Sequence, residues 1–154
     1  MLPCDISQQN LNNLVYSQRL TGGSLEAFRD CALQDIYLGE YAGVDDSWMD
    51  VISSQGSSLL SVDLSGSDIT NFGLTYLKDC QSLISLNLNY CDQISDHGLD
   101  YISGLSNLTC FSFRRNDSIS SKGMSAFSGI CSGFLTFLLS SFMHLYHKHL
   151  SYKC

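Results

Sequence analysis

Apolar and polar positions along this chain follow a pattern that recurs about every 25 residues. In the clearest copy, large apolar residues stand at positions 83, 86, 88, 94, 99, 102 and 105, with Cys91 and Gly98 at fixed places between them. The next copy begins at Leu108, and each corresponding position is apolar, glycine or Asn116. A fixed period of this length is typical of proteins built from stacked structural repeats.

Two earlier copies carry the same pattern with local departures. One begins at Leu59 and has one residue fewer between Ser67 and Ile69, and the other begins at Leu33 and has Trp48 where the later copies have glycine. The pattern divides the chain into an N-terminal segment (1–18), a half repeat (19–32), four repeats (33–58, 59–82, 83–107 and 108–130) and a C-terminal segment without the pattern (131–154).

Each copy predicts one short strand followed by one short helix. The opening run alternates apolar and polar residues, which indicates a strand with one buried face. The later run has apolar residues at helical spacing, and Ser95 and Asp96 before it are candidate helix caps. Between the two elements, Ser67, Cys91 and Asn116 occupy a small slot where a side-chain donor can bond backbone carbonyls as the chain turns. Neither element can bury its apolar face alone, so we expect the copies to stack.

The run from Leu83 to Leu105 resembles the cysteine-containing class of leucine-rich repeats, whose recurring motif is L-x-x-L-x-L-x-x-[CN]-x-x-I-[ST]-[D]-x-G-L-x-x-[LI]. The resemblance extends over about residues 19 to 130. It implies an α/β fold, a right-handed leucine-rich-repeat solenoid with a strand and a short helix in each repeat. A fold of this kind hosts many functions, so it predicts protein binding without naming a partner.

The N-terminal segment has two interpretations. Leu2 and Pro3, followed by Ile6, Leu11 and Leu14, resemble the opening of an F-box, whose first helix commonly begins L-P-x-[ED]. Together with the cysteine-type repeats, this start resembles plant-type F-box/leucine-rich-repeat proteins. The alternative is an amphipathic helix that caps the exposed apolar face of the first repeat, as repeat proteins require.

The F-box resemblance implies a function. It predicts a substrate-recognition component of a cullin-RING (SCF) ubiquitin ligase, whose repeats hold a target protein for degradation. The five N-terminal residues would then contact a Skp-type adaptor. The alternatives are a plain leucine-rich-repeat scaffold without a ligase connection, or a repeat protein tethered to a membrane by its C-terminal segment.

The polar positions of the predicted strands are the candidate protein-binding surface. Because side chains alternate along a strand, residues between the buried leucines face away from the core. The candidates on this concave face are Asp35, Tyr37, Glu40, Asp63, Ser65, Asn87, Asn89, Tyr90, Ser112, Arg114 and Arg115. Tyrosine and arginine are enriched among residues that dominate binding energy, so Tyr37, Tyr90 and Arg114 are the first candidates.

The C-terminal segment breaks the pattern. Residues 134–146 are almost wholly apolar, and residues 123–147 contain no Lys, Arg, Asp or Glu. An apolar run of this length is shorter than the roughly 20 residues that span a bilayer. We therefore expect the segment to cap the last repeat rather than anchor the chain in a membrane; a truncated, longer repeat array is the third interpretation.

Charge narrows the classes of partner. The formal net charge is −7, and residues 1–110 hold 14 of the 15 acidic residues but only Arg19, Arg29 and Lys78 as basic residues. Nucleic-acid binding needs a surplus of basic residues, so a nucleic-acid partner is not expected. The five remaining basic residues lie in 111–154, which gives an acidic body and a basic end.

No catalytic, metal or cofactor motif accompanies the repeats. No serine stands in a Gly-x-Ser-x-Gly elbow, no Cys-x-x-Cys pair occurs, and Gly22 and Gly23 lack the lysine of a phosphate loop. Of the seven cysteines, the repeat pattern places Cys31, Cys80 and Cys91 in the core, which favours reduced structural thiols. The chain is thus predicted to be a non-enzyme without cofactors, located in the cytoplasm, the nucleus or both, since the start lacks the features of a signal peptide.

Overall fold

The computed structural model describes residues 4–125, and of their side chains those of residues 7–123 and 125. A helix at the N-terminus precedes short strands that alternate with short helices. The α-helices are α1 (Cys4–Tyr16), α2 (Gly22–Leu25), α3 (Asp46–Ser53), α4 (Asn71–Leu74), α5 (Asp96–Ile102) and α6 (Ser121–Ser125). The strands are β1 (Asp35–Tyr37), β2 (Ser61–Asp63), β3 (Ser85–Asn87) and β4 (Cys110–Ser112). Single 3-10 turns follow α2 at Glu26–Phe28, α3 at Gly56–Ser58 and α4 at Thr75–Asp79.

The four strands form one parallel sheet in chain order. The aligned residues of neighbouring strands are 26, 24 and 25 positions apart, which is the spacing of the sequence pattern. Pairing continues one residue beyond each strand, since the Leu38 amide donates to the Asp63 carbonyl at 2.8 Å and the Leu64 amide to the Asn87 carbonyl at 2.9 Å. The recurring sequence pattern therefore folds as an α/β repeat.

One continuous apolar core runs through all the described repeats. It contains the large apolar residues that the pattern places inside, from Leu33 and Ile36 in the first full repeat to Phe111 and Phe113 in the last. Leu86 is 1% exposed, and the aligned residues Val62 and Ile36 are equally buried. Burial of one strand face and one helix face in each repeat is the arrangement expected of stacked units.

Helix α1 covers the free edge of β1. The Gln8 side chain hydrogen-bonds the backbone at the start of β1. Its amide nitrogen donates to the Asp35 carbonyl, and its Oε1 accepts from the Gln34 and Asp35 amides at 3.2 Å. Leu11, one turn further along α1, is fully buried in the core. The amide and carbonyl of Asp35 on this edge of the sheet are thereby paired within the chain.

Several sequence predictions fall outside the described residues. They are the roles of Leu2 and Pro3 and the capping or anchoring role of the segment 131–154. The side chain of Ile6 also lies outside this part of the chain.

Candidate protein-binding face

The outward side chains of the sheet form three rows, which we call the strand face. The first row is Asp35, Ser61, Ser85 and Cys110, the second is Tyr37, Asp63, Asn87 and Ser112, and the third, just beyond the strands, is Gly39, Ser65, Asn89 and Arg114. Ser61, Ser85 and Cys110 were not among the sequence candidates, although they share the repeat offset of Asp35. That offset could have found them.

The end of the strand face next to α1 is acidic and aromatic. Tyr37 is 52% exposed, and its hydroxyl donates to Oδ1 of Asp35 at 3.4 Å. Asp63 is aligned with Tyr37 on the neighbouring strand. The Asp63 side chain accepts two hydrogen bonds from Ser65, whose amide and hydroxyl donate to Oδ1 at 2.9 and 2.7 Å.

Towards the opposite end of the strand face, the side-chain oxygens of two asparagines accept hydrogen bonds from neighbouring residues. Oδ1 of Asn87 accepts from the Asn89 amide at 3.1 Å. Oδ1 of Asn89 in turn accepts from the Ser112 hydroxyl at 2.8 Å and from the Arg114 amide. Asn89 and Ser112 were predicted as partner contacts, but here they join the third described repeat to the fourth.

Three further candidates, which we include in the strand face, lie in the turn that follows each strand and are exposed. Glu40, Tyr90 and Arg115 have φ angles of 58°, 60° and 56°, in the left-handed region where the second repeat has Gly66. A non-glycine residue adopts this conformation at some cost. The amides of Glu40 and Tyr90 donate to backbone carbonyls of the next repeat at 2.6 and 2.8 Å, which offsets it.

Tyr90 and Arg115 form an exposed pair at this turn. Tyr90 is 51% exposed, and the Arg115 guanidinium carbon lies 5.7 Å from its ring centroid. This is a cation–π contact between consecutive repeats. Of the three residues ranked first by sequence, Tyr37 and Tyr90 are half-exposed, while Arg114 is partly buried.

The small slot behind the strands works as the sequence predicts. Ser67, Cys91 and Asn116 are all buried, and the first repeat has Tyr41 there. The Asn116 amide nitrogen donates to the Leu88 carbonyl at 2.9 Å, and the Cys91 thiol donates to the Leu64 carbonyl at 3.2 Å. Cys91 and Asn116 thus each bond a carbonyl of the preceding repeat, whereas the Ser67 hydroxyl lies 3.7 Å from the Cys91 thiol.

Burial also governs the chemistry of two core thiols. It raises the pKa of Cys80 to about 11 and raises the pKa of Cys91 above its ordinary value. Both are free thiols, as is the half-buried Cys31. Cys110, which was not among the three thiols placed in the core by the sequence pattern, is disulfide-bonded.

A second set of polar contacts joins the repeats where their helices begin. The first residue of each helix accepts from the residue that precedes the next helix: the amides of Thr70, Ser95 and Ser120 donate to Oδ1 of Asp46, Asn71 and Asp96 at 2.8, 2.9 and 2.7 Å. We call these three pairs the helix-start ladder. Hydrogen bonds from the hydroxyl and the amide of Ser120 hold the pKa of Asp96 below its ordinary value.

The ladder corrects one prediction about helix caps. Ser95 stands at the N-cap position of α5, but its side chain makes no capping bond within that helix. Asp96 bonds Ser120 of the following repeat through both carboxylate oxygens. The pair therefore fastens one repeat to the next instead of capping α5.

The helix-start ladder explains why glycine precedes leucine in the recurring motif. A Cβ on Gly98 would lie 2.5 Å from Oδ1 of Asn71, and Cβ atoms on Gly73 and Gly123 would come still closer to Oδ1 of Asp46 and Asp96. Real Cβ atoms do not approach other atoms so closely. The third residue of each helix must therefore be small wherever the preceding repeat offers a ladder side chain.

At Trp48 the same contact between consecutive helices occurs, but the large and the small residue have exchanged places. Trp48 is the third residue of α3, and the preceding helix begins with Gly22, which has no side chain. A Cβ on Gly22 would lie 3.3 Å from Nε1 of Trp48. The indole, which is 5% exposed, fills the space that a ladder side chain takes in the later repeats.

The N-terminal candidates are placed unequally. Leu11 lies in the core and is not exposed, whereas Leu14 packs against the core and is only partly buried. Within the described part of the chain, the ion pairs both involve Arg29, which bonds Glu26 and Asp50. Hydrogen bonding from Arg29 lowers the pKa of Glu26. None of the strand-face carboxylates takes part in these pairs.

Residues 4–125 also bear on the questions of metal binding and membrane insertion. No group of three or more His, Cys, Asp or Glu side chains there is placed to hold a metal ion. Among the same residues, no helix has the length and apolar character needed to cross a membrane.

Comparison with known proteins agrees with the repeat fold. The family model described as Leucine Rich repeat matches residues 79–103 and again residues 104–128. These two matches support a leucine-rich-repeat protein, a family that is typically a non-enzymatic scaffold for protein interaction. The chain matches no curated protein.

Proposed function

We propose that the strand face binds a protein partner. The observation that carries this proposal is the pair of half-exposed tyrosines, Tyr37 and Tyr90, on a face whose other residues are mostly small and polar. Tyrosine offers a large contact area at little cost in side-chain entropy. Tyr37 lies in the first full repeat and Tyr90 in the third, so a partner that contacts both spans at least three repeats.

A pull-down with matched variants tests the proposal. Tyr37→Ala with Tyr90→Ala removes two exposed aromatic rings from the strand face. Phe72→Ala with Tyr101→Ala removes two exposed rings, 61% and 45% exposed, from the helix side. We expect partner proteins from a cell extract to be lost with the first double variant and kept with the second. Loss with the second alone would contradict the proposal.

The F-box resemblance supports a finer proposal, that the bound protein is a degradation target of a cullin-RING ligase in the cytoplasm or nucleus. Helix α1 restricts how an adaptor could dock. Because Leu11 is buried and Gln8 bonds β1, a Skp-type adaptor would have to use the exposed side of α1, such as Asn10 and Asn13, or the residues before it.

The ligase connection has its own test. We expect immunoblots of the same pull-down to contain a Skp-type adaptor and a cullin, and Asn10→Lys with Asn13→Lys to remove both while target recovery is kept. A partner that is lost with the strand-face variant, in a pull-down without adaptor or cullin, would indicate a plain scaffold.

A further inference from the structure

We infer that the end of the strand face formed by Asp35, Tyr37 and Asp63 binds a lysine or arginine side chain of an extended partner segment. We call these three residues the acid-aromatic site. The inference rests on the proposed function of the strand face and specifies the chemistry of the partner.

The sheet register brings the three residues together. Asp35 and Tyr37 are two positions apart on β1, so their side chains lie on the same side of the sheet. Asp63 is aligned with Tyr37 on β2, where neighbouring strands are about 4.8 Å apart. One half-exposed phenol ring is therefore flanked by a carboxylate along its own strand and by another across the sheet.

Asp63 is held in place before any partner arrives. Ser65 donates two hydrogen bonds to its Oδ1, while no hydrogen bond from the described residues reaches Oδ2. Gly39 makes this arrangement fit, because a Cβ there would lie 2.9 Å from Asp63 Oδ1 and 2.6 Å from Ser65 Oγ. A fixed acceptor loses little side-chain entropy when it binds a donor.

The ring is a separate reason to expect a cation. A guanidinium or ammonium group over a tyrosine ring is attracted by the negative face of the ring, and the chain uses this contact itself at Tyr90 and Arg115. At Tyr37 no cation of the described residues occupies the ring, and the ion pairs of this part of the chain involve Arg29 with Glu26 and Asp50. Charge complementarity therefore favours a cationic side chain from the partner.

The next repeats show that this chemistry is local. The second row continues from Asp63 to Asn87 and Ser112, which are neutral. Asn87 accepts the Asn89 amide with its Oδ1 much as Asp63 accepts the Ser65 amide, so the same turn forms without the charge. The cation is thus expected at the α1 end of the strand face and not along its whole length.

A peptide selection tests the inference. The full chain is immobilised and offered a library of random nine-residue peptides, and the retained peptides are sequenced by mass spectrometry. Asp63→Asn copies the residue of the next repeat, keeps an acceptor for Ser65 and removes the charge. Asp92→Asn is the control, since Asp92 is exposed, lies outside the strand face and changes the net charge equally. Thermal melts establish that both variants are folded.

We expect lysine and arginine to be enriched in peptides retained by the native chain and by Asp92→Asn, and about fivefold less so with Asp63→Asn. Tyr37→Phe should keep this enrichment and Tyr37→Ala should reduce it by a similar factor. Equal enrichment with Asp63→Asn and Asp92→Asn would reduce the effect to general acidity and overturn the inference, as would retention of no cationic peptides by the native chain.

The readout separates this inference from the proposed function. If Tyr90→Ala lowers peptide retention while no preference for lysine or arginine is found, the strand face binds peptides but the acid-aromatic site is wrongly assigned. If retention is indifferent to every strand-face substitution, both fail.

Discussion

The helix-start ladder and the strand face belong to the same repeats but differ in how strictly they repeat. The ladder pairs Asp46–Thr70, Asn71–Ser95 and Asp96–Ser120 each span 24 residues and use the same atoms. Along the second row of the strand face, by contrast, the residue type changes in every repeat. A position that makes the same contact with the next repeat in every copy is constrained by a recurring geometry, whereas a position whose contacts differ from copy to copy is free to vary.

The first repeat shows that the constraint is on shape and not on residue type. Gly22 and Trp48 fill the same space as Asp46 and Gly73, with the large and small members exchanged between the two repeats. Stacking requires that one of the two be small. Substitutions at the large or the small member of such a pair can test this requirement.

The largest effect is expected in the core that both regions share. Leu86→Asp places a carboxylate where Leu86 is 1% exposed, and an unpaired buried charge should cost more than about 4 kcal/mol of unfolding free energy. Asn87→Asp, next to it on the strand face, keeps the acceptor for the Asn89 amide and should change stability by less than about 0.5 kcal/mol. Urea unfolding measures both. Similar losses would mean that the sheet register is wrong.

The next largest effect tests the small residue beside the ladder. Gly98→Ala should destabilise the chain by about 1–3 kcal/mol, because its Cβ would lie 2.5 Å from Asn71 Oδ1. Gly104→Ala is the control, since a Cβ there meets nothing within 4 Å. Combining Gly98→Ala with Asn71→Gly copies the arrangement at Trp48 and Gly22. Thermal unfolding should show a combined loss smaller than the sum of the single losses; strict additivity would argue against a steric contact.

A smaller effect concerns the charge of the last ladder residue. Asp96→Ala removes the acceptor of the Ser120 amide and should cost about 1 kcal/mol near neutral pH. Because the pKa of Asp96 is lower in the folded chain, its contribution is full above its ordinary value of 3.8 and is lost as the pH falls through the folded pKa. Asp96→Asn copies Asn71 and should keep most of the stability while removing this acid dependence. Melting profiles between neutral and acidic pH distinguish the three proteins.

The smallest effect is expected on the strand face. Tyr37→Ala removes a half-exposed ring whose described hydrogen bond, to Asp35, is long, so the unfolding free energy should change by less than about 0.5 kcal/mol. A loss of more than about 1 kcal/mol in calorimetry would show that Tyr37 serves the fold. The contrast between the two regions would then not extend to this residue.

Much of the fold follows from the sequence through periodicity alone. The recurring apolar positions predicted one strand and one short helix in each repeat, and the small slot at Cys91 and Asn116 predicted bonds to backbone carbonyls. These predictions agree with the structure because the same positions of every repeat are buried when the repeats stack. The placement of Asp96 as a cap failed because its acceptor role is set by Ser120, a residue of the next repeat.

The sequence by itself therefore determined the repeat length, the core positions and the row of candidate residues, since each is a property of local spacing. Only the tertiary structure decided which of these polar residues are engaged. Asn89 and Ser112 bond one another across repeats, whereas Tyr37 and Tyr90 remain half-exposed. The tertiary structure also explains why glycine at position 98 accompanies Asn71 and why Trp48 accompanies Gly22. Steric contact between residues about 25 positions apart exists only once the repeats have stacked.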